Sequence, residues 1–333
     1  MVNLGFHSNG VFFSFDDMRR LWQDAERLGF DSAWTMDNSV APILGHRQTP
    51  VFEPYTILPA LAEATKRIRF GPLCTPCGRR HPALLAKMTS VLDVISGGRL
   101  ELAMGAGDHP DFFRPWGMSY PDKASDRIAI LREEIQVIKL MWTEERASFS
   151  GRYYTITDAV NSPKPLQKPH PRIWLCVQKG RKLLPRLVAE LADGVNTFIA
   201  DDASAKEIVQ AVEGYCGEFG RDFSEIERSR HMQVTLTNER YDHAAMVAEQ
   251  ARRQQLPPVY LESYWRNYPF YTRHIIGPPA KVAEELLKQS RLGFNHLLLQ
   301  FRSVQHPLGG GADQVIESLQ EFATEVMPQV RGG

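Results

Sequence analysis

Short apolar, β-branched runs alternate along this chain with longer stretches whose apolar residues recur every three or four positions. That is the pattern of repeated strand–helix units. A first strand is expected at 2–7. Behind it Met18, Leu21, Trp22, Ala25 and Leu28 fall at helical spacing, with Ser14 placed to cap the helix and Gly29 to stop it. The pattern continues through strand 32–36, helix 55–65 and strand 68–75. A third helix is opened by Pro82 and closed by Gly97-Gly98, with Leu84, Leu85, Met88, Val91, Leu92 and Ile95 on one face. Strand 100–106 precedes a long helix through Ile128, Leu131, Ile135, Ile138 and Trp142. After a proline-rich excursion at 162–171 come strand 173–177, helix 182–191, strand 195–199, helix 203–219 and strand 231–236. Helix 279–292, strand 296–301 and a closing helix from 314 to 327 complete the chain.

Eight strands, each followed by helical material, close through right-handed crossovers into a parallel barrel. A doubly wound open sheet would carry a Gly-x-Gly-x-x-Gly turn after its first strand, and Ser8-Asn9-Gly10-Val11-Phe12-Phe13 contains none. The expected fold is therefore α/β, a (β/α)8 TIM barrel, with 1–333 as one domain. Residues 256–275 stand apart, rich in aromatics and poor in periodicity. They predict an insertion between strand seven and the following helix, either packed on the barrel or serving as a lid over its mouth. Tyr264, Trp265, Tyr268, Phe270 and Tyr271 within it suggest an apolar or aromatic small-molecule substrate, or else a packing interface.

Composition narrows the field. Lys+Arg and Asp+Glu balance at 39 each, so no bulk field recruits nucleic acid or a membrane surface. No apolar run reaches the roughly 18 residues of a spanning helix, and the first residues lack a basic signal region. A cytoplasmic enzyme is expected. Cys74, Cys77, Cys176 and Cys216 do not make a disulfide framework. The Cys74-x-x-Cys77 pair has no second half-site, so no metal is expected.

In such a barrel, chemistry sits where the strands end. Those ends read His7-Ser8-Asn9, Met36-Asp37-Asn38, Leu73-Cys74-Thr75, Gly105-Ala106-Gly107-Asp108-His109, Val177-Gln178-Lys179-Gly180-Arg181-Lys182 and Arg302-Ser303. The Gly105 and Gly107 positions let a flat ring or another backbone approach closely. Residues Gln178–Lys182 leave a strand and open a helix, which makes an anion site, most naturally for phosphate, or a solvated basic helix start. His7 reaches the cavity floor or is structural. Asp37 serves a ring or a catalytic partner, or caps the following turn. Glu53 supports neighbouring loops, and His306-Pro-Leu-Gly-Gly-Gly311 is a second phosphate candidate or a flexible loop. A metal-dependent hydrolase would need more strand-end ligands than His7, Asp37, Asp108 and His109.

Several segments together resemble the luciferase-like monooxygenase superfamily. They are His81-Pro-Ala-Leu-Leu-Ala-Lys87, Leu92-Asp-Val-Ile-Ser-Gly-Gly-Arg-Leu-Glu-Leu102, Gly105-Ala-Gly107, Pro165-Leu-Gln-Lys-Pro-His-Pro-Arg-Ile-Trp174, Ala192-Asp-Gly194 and Leu292-Gly-Phe-Asn295. The resemblance runs from about residue 2 to residue 328. It implies a barrel that binds FMN or the deazaflavin coenzyme F-420 at its C-terminal mouth and passes hydride or activates oxygen. It also implies a homodimer, and a non-proline cis peptide at the end of strand three, here within Gly71–Thr75. Ser32-Ala-Trp-Thr-Met-Asp37 is similar to the deazaflavin branch, which favours F-420 and hydride transfer over FMN-dependent monooxygenation. The branch's acid falls on Asp108, but its histidine falls on Asn38, which cannot act as an imidazolium does. Asp108 is then the first candidate for general acid–base work, with His109 or His7 able to replace the histidine. The ring is expected over Leu73–Thr75 and Gly105–Gly107, with Thr75 at its edge and the phosphate on Val177–Arg181. A non-catalytic flavin-binding partner subunit is the remaining alternative.

Overall fold

Alternate residues of a barrel strand point inward and outward, and here the two sets differ in chemistry. A computed structural model describes residues 2–8, 10–38, 50–107, 110–258, 261–262, 273–308 and 310–332. Ten strands form one parallel sheet: β1 (Asn3–Ser8), β2 (Ser32–Thr35), β3 (Arg69–Pro72), β4 (Thr75–Pro76), β5 (Glu101–Gly105), β8 (Arg172–Cys176), β9 (Gly194–Thr197), β10 (Glu227–Leu236), β11 (Arg273–Gly277) and β12 (His296–Phe301). The order β3-β2-β1-β12-β10-β9-β8-β5-β4 is closed by a bridge from Phe70 to Leu100. Strand β3 pairs with β2 and β4 pairs with β5. The two thus share one position, with the cis peptide Leu73–Cys74 between them. Counted so, with β11 branching from β10 outside the ring, the barrel has the eight positions expected.

Outward residues such as Leu4, Phe6, Phe70, Leu102, Ile173, Met232 and Leu299 join one core with the surrounding helices. These are α1 (Phe15–Arg27), α2 (Pro54–Ala64), α3 (Pro82–Ser96), α4 (Ala124–Thr143), α5 (Leu183–Leu191), α6 (Asp202–Phe219), α7 (His243–Arg253), α8 (Pro279–Arg291), α9 (Ala312–Glu321) and α10 (Met327–Gly332). Ser14 and Asp17 form a reciprocal cap on α1.

Inward residues form layers. At the N-terminal end Arg69 pairs with Glu101 (2.6 Å) and Glu227 (3.1 Å), and His296 Nδ1 lies 2.8 Å from Glu227. Burial opposes ionisation of Glu227, yet His296 and Arg69 hold its carboxyl well below the usual range. Above this seal Trp34 and Trp174 meet at 5.8 Å and pack with Ala103 and Leu298. Gly71 and Gly194 make room for them, because a Cβ on either would strike a Trp ring or, at Gly71, the Glu101 carbonyl. One end of the barrel is thereby filled. The inward positions left for a ligand are at the C-terminal mouth.

Several elements depart from expectation. Strand β10 begins four residues early, at Glu227, because its polar start is buried by pairing. Glu227 joins the ionic floor, and outward Arg230 is held by Asp202 of α6 at 2.6 Å. The hairpin β6–β7 (Ala147–Ser150, Thr155–Ala159) was unforeseen; most of its side chains are partly or wholly exposed, so it carries little apolar alternation. Helix α7 was also unforeseen: of its apolar residues only Val247 and Ala251 are buried. Residues 273–275, assigned to the lid, belong to β11, which pairs with Met232–Leu236. Leu84, Val91 and Ile95 do not join the buried face of α3; with Val94 they are exposed.

Candidate functional site

The mouth is lined by polar residues that alternation turns inward at the strand ends. His7 of β1 and His231 of β10 meet edge to face with ring centroids 4.6 Å apart, and Phe198 stands against His231 at 6.2 Å. Gln178 accepts a hydrogen bond from the Phe198 backbone N–H (3.2 Å), and the Gln233 amide donates to Gln300 (3.3 Å). Several polar atoms here are buried with no partner among the described residues: both ring nitrogens of His7, Nε2 of His231, Nε2 of Gln178 and Oε1 of Gln233. A native interior rarely leaves such groups unsatisfied.

Burial, then His231 and Arg302, lower the His7 pKa well below the ordinary value. Burial and Arg302 bring His231 down to about 3. A second pair lies nearby: His243 and His274 have centroids 4.7 Å apart, and His274 Nε2 is 2.9 Å from Thr235 Oγ1. Burial first and Arg302 next bring His243 to about 4; burial, His243 and Arg302 lower His274. At neutral pH these four imidazoles are uncharged donor–acceptors.

Asp37 is almost wholly enclosed, at 1% side-chain exposure. Arg79 holds its Oδ1 at 2.9 Å and Arg80 its Oδ2 at 2.6 Å. Arg80 also stacks on Tyr55 and pairs with Glu53, whose carboxylate caps α2 through Thr56 N–H. Glu53 thus supports the loops as expected. The Arg79–Arg80 clamp was missed, since nothing in Gly78-Arg79-Arg80 reveals which strand end it will face. Thr75 Oγ1 is 2.7 Å from Tyr55 Oη. Asn38 contacts Met36 Sδ at 3.5 Å.

The glycine turn is filled from within the protein. A Cβ on Gly105 would lie 2.8 Å from Cys74 Sγ, and Gly107, at φ +70°, packs against Phe113 and Tyr120. These glycines therefore make room first for Cys74 and for two rings of the following loop. Arg127 braces Ala106 through its carbonyl (3.2 Å). Asp108 and His109 lie outside the described residues, as do 259–260 and 263–272 of the insertion.

Val177 points into the surrounding core, while Lys179 and Gly180 are exposed. Helix α5 starts at Leu183 with no capping side chain, which leaves its first N–H groups for an anion. Arg181 turns away from it, to Glu207 (3.1 Å) and the Ser204 carbonyl (3.0 Å). All four cysteines are free thiols. Among the described residues no group of three or more His, Cys, Asp or Glu is arranged for a metal ion, and no helix is long and apolar enough to cross a membrane.

A family model for luciferase-like monooxygenases matches residues 2–326. An F420-dependent glucose-6-phosphate dehydrogenase of Amycolatopsis mediterranei (strain U-32) is 24% identical over 359 aligned positions, covering 99% of each chain. An FMNH(2)-dependent dimethylsulfone monooxygenase of Pseudomonas putida is 25% identical, covering 96% of this chain and 89% of its own. The structure of an F420-dependent secondary alcohol dehydrogenase with an F420-acetone adduct superposes at a TM-score of 0.81, with 20% identity and 99% of both chains covered.

Proposed function

Given that the chain belongs to the luciferase-like monooxygenase family, we propose that it is a flavin-type oxidoreductase that moves hydride to or from a small organic substrate with deazaflavin F-420. The chain is an oxidoreductase by that membership, and its similarity to F420-dependent dehydrogenases supports the deazaflavin. The observation that carries the reading is the set of unpartnered buried atoms on His7, His231, Gln178 and Gln233. A flavin or deazaflavin ring offers alternating donors and acceptors along one edge, which fit uncharged imidazoles and carboxamides. Such a ring, when bound, supplies the redox chemistry itself.

The chain's residues orient and enclose it. Leu73, Cys74 and Thr75, with Gly105, Ala106 and Gly107, form the wall on which the ring rests. Tyr55 fixes Thr75. The Arg79–Arg80 clamp fixes Asp37 and so the end of β2, beside Asn38. Gln178–Gly180 with the open end of α5 take the coenzyme's phosphate, Lys179 contributing charge. Asp108 and His109, together with His7, are the candidates for holding or moving the substrate proton. Segment 256–272 is the proposed lid on the substrate, and 1–333 works as one barrel domain. An anaerobic assay offering secondary alcohols and sugar phosphates with oxidised F-420 tests the hydride reaction. Turnover only with reduced FMN and oxygen would replace it by monooxygenation, a reading supported by the similarity to the dimethylsulfone enzyme.

The protein is also proposed to be a cytoplasmic homodimer. Support for the dimer comes from Leu84, Val91, Val94 and Ile95, an exposed apolar row on α3 of the kind that marks an interface. Sedimentation equilibrium giving a monomer at micromolar concentration would refute it.

A further inference from the structure

Beside the glycine turn, among residues that follow the C-terminal ends of β4 and β5, lies a cavity of about 180 Å³. Its walls are Phe113, Tyr120, Tyr153, Tyr154 and Ile130, drawn from the loop after β5, helix α4 and the β6–β7 turn. An apolar cavity of roughly 150 Å³ takes up benzene, so this one has room for an aromatic ring and a small substituent. Gly78 also lines it, and a Cβ there would meet nothing within 4 Å.

One charge borders the space. Arg127 lies face-on to Tyr120 at 4.5 Å and donates to the carbonyls of Ala106 (3.2 Å), Pro121 (2.7 Å) and Asp122 (2.9 Å). Among the described residues no carboxylate lies within ion-pair distance of it. Main-chain carbonyls take the Nε and Nη1 protons and fix the guanidinium in place without an ionic partner among the described residues, which leaves Nη2 to donate to a carboxylate oxygen. The Glu133 carboxylate behind Tyr153 and Tyr154 is taken up by the backbone N–H groups of Arg152, Tyr153 and Tyr154 (2.8, 2.8 and 3.0 Å). Burial, then Glu134, pushes the Cys77 thiol up, and burial raises Glu134 to about 7, where it accepts from Tyr154 Oη and Gly78 N–H (2.7 Å each).

We propose that this cavity is a second binding site, lined by residues other than those of the His7–His231 cluster, for a small aromatic carboxylate. The ring packs among the four aromatic walls and the carboxylate meets Arg127. The inference does not depend on the oxidoreductase reading.

Calorimetric titration of the full chain at a pH of about 6 with benzoate and with benzyl alcohol tests it. Benzoate is expected to bind at least about tenfold more tightly than the alcohol. Ser119→Trp, on an exposed rim residue, is expected to weaken benzoate by a similar factor without disturbing the core, and Arg127→Gln to erase the preference for the anion. No benzoate binding at millimolar concentration, unchanged affinity in Ser119→Trp, or equal affinity for the two probes would each overturn the proposal.

Discussion

The imidazole of His7 stands edge-on to that of His231 at 4.6 Å, although β12 separates their strands in the sheet. The contact is made across the barrel mouth. Inward alternation on β1 and β10 brings two polar rings together where most barrels would place branched apolar residues, and both keep nitrogens with no partner among the described residues.

Acid should therefore weaken the fold through these rings. An unfolded histidine titrates near 6.5, whereas His231 is held at about 3 by burial and by Arg302. Between those values the unfolded chain binds the extra proton. Stability from His231 is thus complete above about pH 6.5 and is lost as pH falls, at about 1.4 kcal/mol per unit. His7, His243 and His274 are displaced in the same direction. Urea denaturation from pH 7 to 5 should show falling stability, with a shallower slope in His231→Phe. An identical slope would mean that His231 protonates without cost in the folded chain.

Glu134 works in the opposite direction. Its carboxyl is raised to about 7 by burial, so the unfolded chain releases its proton first, and stability is lost as pH climbs from about 4.5 toward 7 and stays lost above. Glu134→Gln keeps an acceptor for Tyr154 and Gly78. At pH 8 it should be more stable than wild type by about 2 kcal/mol, and near parity at pH 5. Destabilisation at pH 8 would show that the carboxylate is better accommodated than the structure implies.

The clamp on Asp37 should be costly to break from the acid side. Asp37→Ala strands Arg79 and Arg80, buried guanidiniums that lose their shared partner. Removing one member of a buried pair costs about 3–5 kcal/mol, and the coenzyme affinity should fall with it. A loss below about 1 kcal/mol would mean that solvent reaches the arginines readily.

Gly105→Ala places a Cβ against Cys74 Sγ. Overpacking of this kind costs about 1–3 kcal/mol. It should also shift Cys74 within the ring-binding wall and weaken coenzyme binding. Adding Cys74→Ala should recover most of both losses. Additive losses in the double variant would show that the two positions do not touch.

Barrel architecture was legible because each apolar run has strand or helix period, and because caps such as Ser14 and stops such as Gly97 carry their own geometry. The mouth was legible for the same reason: once strand ends are located, His7, Asp37 and Gln178 follow. What pattern could not supply was pairing across the fold. Asp37 is met by Arg79 and Arg80 from another loop, and His7 by His231 from a distant strand. Polar starts such as Glu227–Arg230 hide a strand because ionic partners, not apolar alternation, bury them. Gly105 was read as leaving room for a flat ring or another backbone, and pattern alone did not show that Cys74 Sγ lies beside it.

The central claim is that the polar mouth around His7 and His231 holds a flavin-type ring. Fluorescence titration of the purified chain with F-420 and with FMN, beside a His7→Leu/His231→Leu variant checked for retained folding, tests it most directly. F-420 should bind at least about tenfold more tightly than FMN, and the folded double variant should lose at least about tenfold in affinity. Binding of neither coenzyme, or affinity unchanged in the variant, would contradict the account.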